Sequence, residues 1–187
     1  MPVSAIELLE SQLPEELTSG ITGNTSREIK ELPIKWLSIF RDQGTGFAGS
    51  ISSRLKLVDI SVVPNPDDPS LTEGKVICEI DVTPDMCNAQ GVMDNGCVMY
   101  FMDECSSLGV IVLNGYLENG VFPGVSQNIN TFFHSSALEG TKLRVVGTSV
   151  ASDEDIGVGK CEVWDADNHR LIASGTHRTM APSGPRE

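Results

Sequence analysis

Between Gly91 and Leu113 the chain is apolar around nearly a whole helical circumference. Val98, Met99, Phe101, Met102, Cys105, Leu108, Val110, Ile111 and Val112 leave no wide polar stripe, a pattern that suits a helix enclosed by a sheet and not one lying on a surface. Reading the segment this way puts the carboxylate of Asp103 in the helix interior. An unpaired buried carboxylate costs several kcal/mol, roughly, so it is normally hydrogen-bonded, protonated or part of a site.

The rest of the chain supplies what would enclose such a helix. Residues 50–63 and 74–82 read as strands separated by a Pro-rich acidic turn at 64–69. After a Gly-containing loop at 114–123 come four more strands, 125–133, 141–151, 156–165 and 171–180. The last two are joined by Asp165-Ala-Asp-Asn-His169, whose Asp and Asn residues favour tight reversals. Strands segregated from one enclosed helix predict an α+β layer in which an antiparallel sheet wraps the helix. In front lies an amphipathic arm with two helical sets, Ile6, Leu8, Leu9 and Leu13, then Ile29, Leu32, Ile34, Trp36, Leu37 and Phe40, punctuated by Pro14 and Pro33. This divides the chain into an arm and loop (1–49), a main domain (50–181) and a polar tail (182–187).

Thirteen basic against 26 acidic residues give a net charge of -13, which opposes nucleic acid and anionic membranes as partners. No apolar run reaches the ~18 residues of a membrane span. The first sixteen residues carry four Glu and neither Lys nor Arg, unlike a secretory or transit leader, so the expectation is a cytoplasmic protein, with a mitochondrial or peroxisomal matrix as the alternative. The five cysteines are scattered through apolar segments without C-x-x-C spacing and read as reduced thiols; no metal site and no cofactor is expected. A polyanionic ligand would need local basic residues or backbone amides, with Lys142, Arg144, Lys160, Arg170 and Arg178 as candidates. His134 and His177, lone histidines near strand ends, read as structural. Gly157-x-Gly159 reads as a bulge or a point of close backbone approach.

Four pieces of sequence together resemble the hotdog-fold acyl-CoA thioesterases, in the branch of the phenylacetate-pathway thioesterases and the small thioesterase-superfamily proteins. They are Asn88-x-x-Gly91 before the helix, Asp103 fifteen residues after Asn88, Gly124-Val125-Ser126 opening a strand, and Leu171-Ile-Ala-Ser-Gly175-Thr-His closing the last. The resemblance implies a hotdog fold and an acyl-CoA substrate. It implies Asp103 as base or nucleophile, Asn88 and the Asn95 N–H at the thioester carbonyl, and Ser126, with Ser107 a weaker candidate, positioning water. Asp94, Gly96, Phe132, Phe133 and Arg178 are the expected substrate contacts. It also implies a homodimer or homotetramer in which Asp103 of one subunit faces Asn88 and Asn95 of the other. Where the family has Asn-x-x-Gly-x-Leu-His-Gly-Gly, this chain has Asp94-Asn95-Gly96 in the last three positions. A carboxylate there opposes an oxyanion unless it turns away to cap the helix. Either a thioesterase of altered activity or a non-hydrolysing acyl-thioester or lipid binder is consistent with that change; a dehydratase or isomerase is third, because the helix-start His is missing.

Overall fold

The computed structural model describes residues 5–41, 46–120 and 124–181. Six strands, β1 (Lys56–Pro64), β2 (Thr72–Asp81), β3 (Val125–Phe133), β4 (Lys142–Ser152), β5 (Ile156–Asp165) and β6 (Arg170–Met180), form one sheet in the order β1-β2-β4-β5-β6-β3. Every neighbouring pair is antiparallel. Four helices accompany them: α1 (Ala5–Glu10), α2 (Arg27–Phe40), α3 (Gly49–Ser52) and α4 (Asn95–Leu117). The expected tail at 182–187 and part of the expected loop at 44–49 fall outside the described residues.

The long helix α4 lies against the concave face, with Phe101, Met102, Leu108 and Ile111 buried among Ile60 of β1, Val76 of β2, Leu143 and Val145 of β4 and Val163 of β5. Burial of each such side chain is worth about 1.5–3 kcal/mol. The close fit needs missing side chains on the sheet. A Cβ at Gly147 would overlap the Cys105 carbonyl, and one at Gly159 the Ser106 carbonyl, so the Gly157-x-Gly159 stretch is a place of close backbone approach, as read from sequence. Cys78, Cys105 and Cys161 are buried, all five cysteines are free, and burial pushes the Cys97 thiol up to about 12.

Four local expectations need correction. The segment predicted as strand from residue 50 begins with α3, and β1 starts only at Lys56. Pro33 lies inside α2 instead of ending it. The helix tolerates a defect of about 3 kcal/mol because Trp36 and Leu37 are held in the core beside α4. Helix α4 continues through Asn114 to Leu117, where a loop was expected; Asn114 is buried and accepts a 2.7 Å hydrogen bond from Ser152 of β4, so its polarity is matched by the sheet. At full length α4 is long and apolar enough to cross a bilayer, but most of it is buried within the fold, as suits a core helix.

Two elements of the arm pack differently. Helix α2 rests on α4, while the segment between α1 and α2 runs along β1. There Thr22 makes an isolated parallel bridge to Asp59, and its N–H donates to the Val58 carbonyl at 3.0 Å.

Candidate active site

At the start of α4 the chain makes a turn before committing to helix. The Asn88 side-chain oxygen accepts from the N–H groups of Gln90 (2.9 Å) and Val92 (3.3 Å), and Gly91 takes a positive φ of 72° that favours glycine. Asp94 is the N-cap; its Oδ1 accepts from the Gly96 N–H at 2.7 Å. The carboxylate is thus spent on the helix end, where the macrodipole favours it. The Asn95 N–H has no hydrogen-bond partner among the described residues, and its side chain is exposed.

Two turns further on, three elements converge around Asp103. Ser126, at the start of β3, donates its hydroxyl to Asp103 Oδ1 at 3.1 Å. His177 of β6 is buried, and its Nε2 lies 3.5 Å from the same oxygen without hydrogen-bond alignment. On the other side of the ring, Nδ1 is 2.9 Å from Ser106 Oγ and 3.4 Å from Ser107 Oγ. Both hydroxyls direct their protons to backbone carbonyls of α4, Ser106 to Met102 at 2.6 Å and Ser107 to Asp103 at 3.0 Å. Which ring nitrogen carries the proton decides whether Nδ1 donates to or accepts from these hydroxyls, and a proton on Nε2 would point toward the Asp103 carboxylate. Burial holds the His177 pKa below its ordinary value, with the Asp103 charge pulling in the opposite direction.

A cavity of about 170 Å³ opens here, lined by Phe40, Asp103, Glu104, Ser107, Gly124, Ser126 and Thr179. Gly124 takes φ 76° with the Met180 carbonyl close to where a Cβ would stand, so glycine is needed to bring β3 in beside β6 at this point. A register shift between Ser126 and Asn128 places a bulge next to the serine, a common device for aiming a side chain.

The structure corrects two readings of this region. Asp103 is not buried in the single subunit; its side chain is 45% exposed. The desolvated carboxyl is that of its neighbour Glu104, whose pKa burial pushes up to about 8, with Asp103 adding to the rise and Arg41 opposing it. Nor is His177 merely structural in position: β6 carries it to Asp103, Ser106 and Ser107. The sequence signal for this was weak, since seventy-one residues separate His177 from Ser106. The segment Gly175-Thr-His177 carries the residue, but a lone histidine near a strand end gives no sign of partners so distant in sequence.

Ser126, Ser107 and Asp103 are thus together, and Asn88, Asp94, Asn95 and Gly96 are together at the helix start. The eight steps from Asn95 to Asp103 rise about 12 Å along the helix, so the two groups do not meet within one chain. Phe132 and Phe133, 62% and 46% exposed, lie at the far end of β3. Arg178 is exposed on the sheet face opposite to His177 and Thr179, and among the described residues it has no ion pair. The other basic candidates are paired: Lys142 with Glu79 (3.0 Å), Arg144 with Glu79 (3.9 Å), Lys160 with Glu162 (2.7 Å) and Arg170 with Asp165 (3.2 Å). No group of metal-ligating side chains occurs among the described residues.

No protein-family model matches the chain. Human acyl-coenzyme A thioesterase 13 is 27% identical to it over 108 residues, 58% of this chain and 74% of that protein. Among solved structures, zebrafish thioesterase superfamily member 2 has a TM-score of 0.63 at 20% identity, covering 80% of this chain and 97% of its own. The Escherichia coli PaaI protein from the phenylacetic acid degradation operon has a TM-score of 0.58 at 12% identity, covering 82% and 95%. A hypothetical thioesterase from Streptococcus pneumoniae, solved with coenzyme A, has a TM-score of 0.52 at 19% identity, covering 61% and 82%. The chain has the hotdog fold, and its resemblance to the hotdog thioesterases holds in both sequence and structure.

Proposed function

We propose that this protein hydrolyses acyl-CoA thioesters in a site shared between two copies of the chain. The observation that carries the reading is the convergence of Ser126 and His177 on the exposed carboxylate of Asp103, about 12 Å from the helix start that offers a free amide. A second copy brings its own helix start to the first copy's Asp103. The strand nearest the site supports this. β3 pairs on one side only, and Val125, Phe132 and Phe133 are exposed along it.

In this mechanism the thioester carbonyl accepts from the Asn95 N–H at the positive end of α4, with the Asn88 side chain beside it. Asp103 attacks as nucleophile or activates water as base, and Ser126 orients the attacking group. On the base route Asp103 takes the proton that water gives up and returns it to the leaving coenzyme A thiolate, with the His177 ring packed beside it. Asp94 does not face the oxyanion, because its carboxylate bonds back to the Gly96 N–H. The acyl chain runs beside α4 toward Phe132 and Phe133, and Arg178 is a free cation for a coenzyme A phosphate.

Asp103→Asn is expected to lower kcat/KM by about 100-fold or more in a thiol-release assay across a thioester panel, with the fold and assembly retained. Unchanged hydrolysis by the purified variant would remove Asp103 from the mechanism. Asp94-Asn95 in place of His-Gly favours a second reading, a non-hydrolysing acyl-thioester binder. Asp94→His with Asn95→Gly separates the two: a gain of hydrolysis from an inert parent supports the binder, and a loss from an active parent supports the enzyme.

A further inference from the structure

Glu104 lines the same cavity as Asp103 and Ser126, yet the hydrolytic steps leave it unused. Its Oε2 is sealed from solvent and makes no hydrogen bond. Arg41, which follows α2, acts on it electrostatically, and the Arg41 Nε is likewise sealed and unpartnered. Buried polar groups are rarely left without partners, and each one that is calls for a structural or functional reason. The groups around Glu104 are Arg41 from the end of α2, Asp103, Tyr100 and Cys105 from its own helix, and, across the cavity, Ser126 of β3 and Thr179 of β6, with His177 beside Asp103. Burial keeps Glu104 mostly protonated at neutral pH. As a neutral acid it can donate as well as accept, and it adds no negative charge beside a developing oxyanion. Consecutive helix residues have Cα atoms about 3.8 Å apart and point roughly 100° apart. Asp103 and Glu104 also line one cavity, so a chain whose carbonyl sits at Asp103 has Glu104 within its first few carbons.

We propose that Glu104 is a specificity-determining residue that hydrogen-bonds a hydroxyl on the third carbon of the acyl group, so that the site takes 3-hydroxyacyl thioesters in preference to the plain chain. This rests on the thioesterase reading above. The test uses the full-length protein and matched pairs, butanoyl-CoA with 3-hydroxybutanoyl-CoA and octanoyl-CoA with 3-hydroxyoctanoyl-CoA. Wild type should favour the hydroxylated member by about 10-fold in kcat/KM, since a site built to bond a hydroxyl discriminates against its absence. Glu104→Gln, which keeps a donor and an acceptor, should hold that ratio within about 3-fold, and Glu104→Leu should invert it in favour of the plain chain. Equal or reversed preference in wild type overturns the proposal, as does a ratio that Glu104→Leu leaves unchanged. If Glu104→Leu does not fold, the wild-type ratio alone decides. If no thioester is hydrolysed, calorimetric affinities for the same pairs decide: tighter binding of the hydroxylated member upholds the role of Glu104 while the hydrolytic reading falls, whereas hydrolysis without preference does the reverse.

Discussion

The two edges of the sheet are treated in opposite ways. At the β1 edge the arm takes up the strand's outward groups: the Ile60 N–H donates to the Thr22 carbonyl (3.1 Å), Asn24 bonds both the N–H and the carbonyl of Val62 (2.8 Å each), and Thr25 donates to the Ile60 carbonyl (2.8 Å). Gly23, at φ 109°, fits where a Cβ would run into that carbonyl. The arm is itself locked by a buried cluster. Glu31 pairs with Arg27 (3.2 Å) and Lys35 (3.1 Å), accepts from the Leu13 N–H, and so ties the stretch after α1 to α2. At the β3 edge nothing comparable covers the strand among the described residues, and its apolar side chains face outward. An unpaired, apolar edge is a surface for another strand, so under the shared-site reading proposed above it is the β3 edge, not the β1 edge, that would receive a second copy.

The strongest way to break that contrast is to spoil the open edge. Phe132→Lys should give a monomer by light scattering and lower hydrolysis of every thioester by about 1,000-fold, the upper end of what losing an oxyanion donor costs. A similar loss with assembly intact would make Phe132 a wall for the acyl chain and not part of an interface. Next comes the lock behind the closed edge. Glu31→Ala leaves Lys35 buried without its carboxylate and should cost about 3 kcal/mol in urea unfolding, near the low end for a broken buried pair because Arg27 is partly exposed. Oligomers larger than those of wild type should then appear as the β1 edge is bared. Asn24→Ala, which removes two exposed bonds to Val62, should cost about 1 kcal/mol and leave the mass unchanged.

The smallest effect distinguishes the halves by pH. A histidine whose folded pKa lies below its unfolded value contributes stability above about pH 6.5 and loses it as pH falls through that value. His177 is such a group and joins α4 to β6, next to β3. Amides of β3 and β6 should therefore lose hydrogen-exchange protection between pH 7 and 5.5, after correction for intrinsic rates, more than those of β1 and β2. His177→Gln should remove the difference; an equal response of both halves in wild type would count against it.

Much of the fold was legible because local signals agree. The segments 125–133 and 156–165, read as strands, are β3 and β5, and the Asp165 to His169 turn is held by Asp165 accepting from the Asn168 N–H, as such turns are. The enclosed helix was read from its all-round apolar surface. The errors lie where a distant partner overrides local preference: Pro33 stays helical because of contacts with α4, and Asn114 because Ser152 answers it. The site was half legible. Asp103, Ser126 and Ser107 do come together, but the swap of burial between Asp103 and Glu104 was hidden, because a wholly apolar helix gives no stripe by which to tell which of two adjacent carboxyls faces solvent.

The sequence alone determined the class of fold and the order of its strands around the long helix, and it offered the cap at Asp94 as one of two alternatives, since periodicity and capping act within a turn or two of helix. Only the tertiary structure decided that the arm closes the β1 edge, that His177 stands beside Asp103, and that Glu104 loses its water. Those outcomes depend on groups from α2, β3 and β6 meeting α4 across large sequence separations, and burial and charge are set by which surfaces meet, something no local pattern encodes.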